Sequence, residues 1–118
     1  MQLLVAEDNG HLAHLRIEGD LTQRQLSPVG DLLSDLLGAE AYQRQVLLDL
    51  SRTPFLDSSG VGWLILMHKR FRERGGKLIV HSISPAVANT LKLLKMEKLL
   101  HLAGTRRDAE EVVRGVAP

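Results

Sequence analysis

Residues 45–63 read QVLLDLSRTPFLDSSGVGW, and this stretch decides the fold class. Its first six residues form a mostly apolar run, which is typical of a central strand buried on both faces. From Ser58 to Arg74 the apolar residues follow helical spacing, and the pair Gly75-Gly76 ends the pattern. A buried strand that leads into a helix predicts a βα unit of an α/β fold.

The N-terminal residues predict a hairpin around Asn9-Gly10, because both residues tolerate positive φ. A short apolar run at residues 3–6 precedes this turn and an alternating run follows it. Alternation predicts a strand with one face in the core and the other in solvent. The core-facing residues are Ala13, Leu15 and Ile17, and the expected solvent-facing residues are His14, Arg16 and Glu18.

Strand and helix signals then alternate along the rest of the chain. Further strands are predicted at KLIVH, residues 77–81, and near residues 100–102, and residues 20–26 form a polar connection. The predicted helix starts are Ser27-Pro28, Ser84-Pro85 and Thr105, with Val29, Leu32, Leu33, Leu36 and Leu37 as the first helix stripe before Gly38. We predict one α/β domain, residues 1–118, whose mixed, mostly parallel sheet has about four to five strands with about four helices.

Composition narrows the function classes. Fifteen basic and 14 acidic residues give a net charge of +1, so charge gives no reason to expect nucleic acid. Cysteine is absent, which excludes a disulfide framework and a thiolate zinc site. The N-terminus lacks a signal-peptide pattern, and no apolar run approaches the length of a membrane span. We expect a soluble, cytoplasmic protein.

The apolar pattern also predicts a core. On the helix that starts at Ser58, one stripe is expected to face the core: Val61, Leu64, Ile65, His68, Phe71 and Arg72. On the helix predicted to start at Ser84-Pro85, the core stripe is Val87, Leu91 and Leu94. The residues expected to be buried are Leu15, Ile17, Val46, Leu48, Leu50, Val61, Leu64, Ile65, Ile79 and Leu91.

The serines of DSSG have several possible roles. Ser58 is predicted to be the helix N-cap. A hydrolase nucleophile would need a glycine two residues earlier, where Leu56 stands, and no histidine has a spacing that would place a base beside it. Gly60 and Gly62 are not followed by the lysine of a nucleotide-binding loop, so tight packing explains them better. Phosphate acceptance needs only an exposed hydroxyl, and a helix N-terminus tolerates the added charge.

A second feature of this helix is an apolar group on the face opposite the core stripe. It consists of Trp63, Leu66 and Met67, flanked by Arg70 and Arg74. These residues either pack against a neighbouring helix or form an exposed docking patch for a partner. A patch so close to Ser58 would be controlled by phosphorylation.

Taken in order, these segments resemble the STAS domain family, and in particular its single-domain anti-sigma factor antagonists. The segments are GDL at 19–21, VLLDL at 46–50, FLDSSGVG at 55–62, GGKL at 75–78 and ISPAV at 83–87. The resemblance implies a small mixed sheet with helices mainly on one face. It also implies phosphorylation at Ser58, with Asp57, Ser59, Gly60, Gly62, Asp20 and Thr22 as neighbours of the phosphorylation loop. Thr22 stands where such antagonists often carry an acid, and we expect it to be a loop or capping residue.

The resemblance further implies a partner-switching protein with no catalytic activity and no cofactor. Its partners would be an anti-sigma factor with serine kinase activity and a serine phosphatase that resets Ser58. Neither nucleic acid nor membrane insertion is expected, and we expect a monomer or a weak dimer. Two alternatives remain: a STAS scaffold or subunit of a transporter or signalling assembly, and a binder of a small ligand such as a nucleotide. Ser59 is an alternative acceptor.

Overall fold

The computed structural model describes residues 1–26 and 30–115. Its strands are β1 (Gln2–Asp8), β2 (Leu12–Glu18), β3 (Gln45–Arg52), β4 (Lys77–His81) and β5 (His101–Ala103). Its helices are α1 (Gln23–Leu26), α2 (Leu32–Leu37), α3 (Ser58–Arg74), α4 (Pro85–Leu93) and α5 (Arg106–Val113). Short 3₁₀ turns lie at Ala41–Gln43 and Met96–Lys98.

The strands form one mixed sheet in the order β1-β2-β3-β4-β5. β1 runs antiparallel to β2, and every other neighbouring pair is parallel. The hairpin turn forms where Asn9-Gly10 predicts it, with Gly10 at φ +89° and the Asn9 side chain accepting from the amide of Leu12 at 2.7 Å. The predicted α/β class and mostly parallel sheet are therefore confirmed.

The two faces of the sheet are covered very unequally. The main core, which includes α3 and α4, lies on one face, and Ala13, Leu15 and Ile17 point into it as predicted. On the other face α5 covers a small apolar cluster of Leu47, Ile79 and Ala109. The prediction of a fully solvated face on β2 is wrong at His14, which is only 4% exposed. Contacts with Arg106 and Glu110 of α5 explain this burial.

The predicted core is largely confirmed. All the residues expected to be buried are buried except Ile65, which is partly buried and packs against the core. Arg72 and Leu94 are exposed, so both are wrong as core-stripe residues. Arg72 lies in the last turn of α3 and lines a surface cavity, and Leu94 is the C-cap residue that follows α4.

The segment between β2 and α2 is more ordered than a polar connection. Leu21 is buried and bridges Leu56 in parallel, and α1 follows directly. The predicted start at Ser27-Pro28 and the stripe residue Val29 lie outside the described residues. α2 begins after Asp31, whose side chain accepts from the Ser34 amide, and it ends at Gly38 as predicted.

The predictions for the remaining helix starts are right in part. Thr105 caps α5 as predicted, since its side chain accepts from the Asp108 amide at 3.1 Å. Ser84 precedes Pro85 at the start of α4, but its hydroxyl donates to the carbonyl of Thr53 at 2.7 Å instead of capping the helix. α3 runs from Ser58 to Arg74 as predicted and ends at Gly75, whose φ is +88°.

Candidate functional site

The N-cap of α3 is Asp57, so the prediction that Ser58 caps the helix is wrong by one residue. Asp57 has an extended backbone, and its carboxylate accepts from the Gly60 amide at 3.0 Å and the Gln23 amide at 3.1 Å. These bonds, that from Gln23 above all, hold the pKa of Asp57 below its ordinary value against the opposing effect of desolvation. Asp57 therefore carries a negative charge at neutral pH and ties α3 to the first residue of α1.

The backbone around Leu21 completes this attachment. Leu21 donates its amide to the Phe55 carbonyl at 3.0 Å, and its own carbonyl accepts from the Asp57 amide at 3.3 Å. A Cβ added at Gly60 would lie 2.2 Å from that same Leu21 carbonyl oxygen. Gly60 is therefore required by the close approach of the two backbones, as the packing explanation predicts.

The structure brings Asp20 and Thr22 to this loop, on either side of Leu21. Asp20 is exposed. The Thr22 carbonyl accepts from the amides of Gln25 and Leu26 at 3.0 and 2.9 Å, at the start of α1. Thr22 thus begins a helix, which confirms its predicted role as a loop or capping residue.

Ser58 is the first residue of α3, and its side chain is accessible to solvent. It is exposed, and its hydroxyl forms no hydrogen bond with any residue in 1–26 or 30–115. Ser59 is partly buried. The Asp57 carboxylate already satisfies the helix start, so the Ser58 hydroxyl is not needed for capping.

Below Ser58 an exposed stripe runs down α3 at four-residue spacing. It contains Gly62 and then Leu66, which is 43% exposed. A Cβ added at Gly62 would meet no atom within 4 Å, so packing does not explain this glycine. Phe55, 54% exposed, lies in the loop just before Asp57. The sequence reasoning missed Phe55, although a large apolar residue beside DSSG was an available signal.

The predicted docking patch is only partly exposed. Met67 is 3% exposed and belongs to the core, so it is wrong as an exposed patch residue. Tyr42 covers it, with its hydroxyl 3.8 Å from the Met67 Sδ. Arg70 donates to the same hydroxyl at 3.3 Å and lies 5.8 Å from the Tyr42 ring centroid. Trp63 is half-buried. Of the two possibilities that the sequence leaves open, packing within the protein applies to Met67 and in part to Trp63.

A shallow cavity of about 260 Å³ separates this side of α3 from α2. Leu32 lines it on one side and Trp63 and Leu66 line it on the other, with Met67 at its floor. The exposed stripe and this cavity are continuous at Leu66. Together they give α3 a mixed outer surface that begins at Ser58, in which Trp63 and Leu66 lie beside the charged groups Asp31 and Arg70.

Comparison with known proteins agrees with this architecture. The sequence model of the STAS domain matches residues 4–109. The chain belongs to the STAS domain family. No helix of the described part of this STAS domain is long and apolar enough to cross a membrane.

Relatives and solved structures of similar STAS domains carry related names. An anti-sigma F factor antagonist of Paenibacillus polymyxa is 31% identical over 65 residues, which cover 52% of this chain and 56% of that protein. The chain spans between 56% and 66% of the length of the curated relatives it matches first.

Two solved structures show the shared fold. The crystal structure of a candidate anti-sigma factor antagonist from Thermotoga maritima has a TM-score of 0.80 at 20% identity, covering 92% of each chain. The Bacillus cell fate determinant SpoIIAA in its phosphorylated form has a TM-score of 0.66 at 19% identity, covering 96% of this chain and all of that one.

Proposed function

We propose that this STAS domain is an anti-sigma factor antagonist controlled by phosphorylation. It binds an anti-sigma factor that is also a serine kinase, and phosphorylation of Ser58 by that kinase releases it. A serine phosphatase then resets Ser58. The observation that carries the proposal is the exposed hydroxyl of Ser58, which forms no hydrogen bond within the described residues and lies at the start of the exposed stripe of α3. The names of the similar relatives support the class of partner.

The geometry around Ser58 supports phosphorylation without loss of the fold. Asp57 holds the first turn of α3, so a phosphoryl group on Ser58 breaks no capping bond. A phosphoserine adds a charge of about −1.5 to −2, which the positive end of a helix dipole tolerates. SpoIIAA, which shares this fold, has been solved in a phosphorylated form.

The same charge explains release of the partner. A phosphoryl group on Ser58 would stand next to the ionised Asp57, and it would face any protein docked on the stripe. Burying that charge at an apolar interface is costly unless the partner pairs it. The modified protein is therefore expected to bind weakly.

The proposed docking surface is Phe55, Ser58, Gly62, Trp63 and Leu66, with Arg70 at its lower edge. It keeps most of the patch predicted from the sequence, omits Met67 and adds Phe55. Gly62 leaves the helix backbone bare beside Ser58, so a partner chain can approach closely there. The chain supplies no catalytic group in this proposal. The ATP belongs to the kinase, and the reactions take place in the cytoplasm.

Calorimetric binding to a serine-kinase anti-sigma factor from the same organism tests this proposal. Leu66→Ala should weaken binding by about tenfold, the effect expected of an interface anchor. The matched control is Leu93→Ala, which removes an equally large exposed side chain on α4. Equal affinities for both variants would contradict the docking surface.

Phosphorylation is tested separately with Ser58→Asp and Ser58→Ala. Ser58→Asp should fold normally and bind at least about tenfold more weakly. Ser58→Ala should bind like the wild type, because no hydrogen bond of Ser58 is lost. If Ser58→Asp also binds like the wild type while Leu66→Ala does not, the surface docks without a phosphate switch. That result would favour the scaffold alternative.

A further inference from the structure

A second candidate site lies at the opposite end of α3, about 25 Å along the helix from Ser58. It is a cavity of about 160 Å³, and its lining comes from the last turns of α3, the start of β4 and the first residue of β5. Four groups that can carry positive charge line it: His68, Arg72, Lys77 and His101. Among the described residues, no aspartate or glutamate lines the cavity.

His68 has no protein partner that explains its position. It is only 8% exposed, and its ring forms no hydrogen bond with the described parts of the chain, residues 1–26 and 30–115. Its one aromatic contact is with His101, whose ring centroid is 5.0 Å away at a tilt of 56°. The buried side-chain nitrogens without a partner in the described residues do not include those of His68, so its ring nitrogens remain accessible. A ligand with acceptor oxygens in the cavity can therefore accept from this ring.

The ionisable side chains that line the cavity are all basic. Within the described residues, neither Arg72 nor Lys77 forms an ion pair. Burial and then Arg72 lower the pKa of His68. Burial, then His68 and Lys77, lower the pKa of His101. No carboxylate within residues 1–26 and 30–115 opposes these effects.

The negative end of the α3 dipole does not explain this cluster by itself. It attracts cations and accounts for Arg72 and Arg74, which lie on the last turn. However, Lys77 comes from β4 and His101 from β5, so three elements contribute positive groups. The Phe71 carbonyl at this helix end is already occupied by the amides of Gly75 and Gly76.

We propose that this cavity binds a small tetrahedral oxyanion of the phosphate class. The ligand is either free inorganic phosphate or the phosphate group of a small metabolite. His68 and His101 would donate from their rings, and Arg72 and Lys77 would neutralise the charge. The volume is about five times the share of one water in the liquid, about 30 Å³, which accommodates such an ion. In the described part of the chain, no group of three or more His, Asp or Glu side chains could hold a metal, so the histidine pair is not assigned to one.

The test is an NMR titration of the histidine ring signals with inorganic phosphate, at constant ionic strength. His68 and His101 should shift saturably, and the pKa of both should rise in phosphate, since a bound dianion favours their charged forms. The groups that face these rings are Arg72 on α3 and Lys77 on β4. Chloride at the same ionic strength should give no saturable shift. A small phosphate ester that binds more tightly than phosphate would identify a metabolite as the ligand, and weaker binding would identify the free ion.

Matched variants decide whether the cavity holds the ion. Arg72→Gln and Lys77→Gln should each weaken phosphate binding by about tenfold, because each removes one charged donor. Arg74→Gln and Lys69→Gln remove the same charges from exposed positions on α3 outside the cavity, and they should leave the affinity unchanged. All four sites are at least partly exposed, so the fold is retained. Shifts that do not saturate, or equal losses in all four variants, would overturn the proposal.

Discussion

The inner and outer sides of the first turn of α3 use glycine for opposite reasons. On the inner side, Gly60 lies against the Leu21 backbone, where no side chain fits. On the outer side, Gly62 has open space around it, so any small side chain would fit. Asp57 belongs to the inner side through its bonds to Gly60 and Gln23, whereas Ser58 belongs to the outer side. Contacts on the inner side hold the fold, whereas residues on the outer side can be modified or substituted without loss of the fold.

The largest effect is expected from Gly60→Ala. Its Cβ would overlap the Leu21 carbonyl, and such overpacking costs about 1–3 kcal/mol of unfolding free energy. Urea denaturation measures this loss. A stability equal to that of the wild type would show that the loop before α1 is not held against α3.

A smaller loss of the same sign is expected from Asp57→Ala, and it should depend on pH. The pKa of Asp57 is lowered in the folded protein, so its contribution is present above the unfolded pKa of about 3.9. That contribution is lost as pH falls through the folded pKa. The difference between the wild type and Asp57→Ala should therefore shrink in acid.

The control for Asp57 is Asp20→Ala. Asp20 is exposed, and its side chain forms no hydrogen bond or ion pair with the described residues. Its removal should leave the denaturation midpoint unchanged. Equal losses for the two aspartates would mean that the cap at Asp57 has no special role.

Gly62→Ala is the matched counterpart of Gly60→Ala and should have the opposite sign. Alanine in an open helical position raises stability by about 0.5–1 kcal/mol relative to glycine. The same variant should bind the anti-sigma factor more weakly, because the methyl group stands where the partner approaches. A more stable protein with unchanged affinity would remove Gly62 from the docking surface.

The smallest effect is expected from charge at Ser58 itself. Ser58→Asp should raise the unfolding free energy at low salt by about 0.3–1 kcal/mol, and Ser58→Lys should lower it similarly, through the helix dipole. Added salt should reduce both changes. A strongly destabilised Ser58→Asp would contradict the tolerance of phosphorylation at this position.

Local pattern was enough to predict most of the fold. The spacing of apolar residues predicted α3 from Ser58 to Arg74, because a long amphipathic segment that ends at two glycines has few alternatives. The strand alternation and the Asn9-Gly10 turn likewise predicted the hairpin. The cap was misplaced by one residue because Asp57 and Ser58 are equally good caps, and only the backbone conformation distinguishes them.

Two further errors arose from residues that are distant in sequence. Met67 is buried because Tyr42 covers it from a segment 25 residues earlier. His14 is buried because Arg106 and Glu110 of α5, far from it in the sequence, contact its ring. Helical or strand spacing shows which residues share a face, but it does not show what covers that face.

The most direct test of the central claim is intact mass with site mapping, after incubation with ATP and the anti-sigma factor kinase. One phosphoryl addition at Ser58 is expected in the wild type. The same addition should persist in Ser59→Ala and disappear in Ser58→Ala, and the modified protein should leave the kinase complex while remaining folded. No addition to a folded protein by an active kinase, or addition that persists in Ser58→Ala, would contradict the proposed switch.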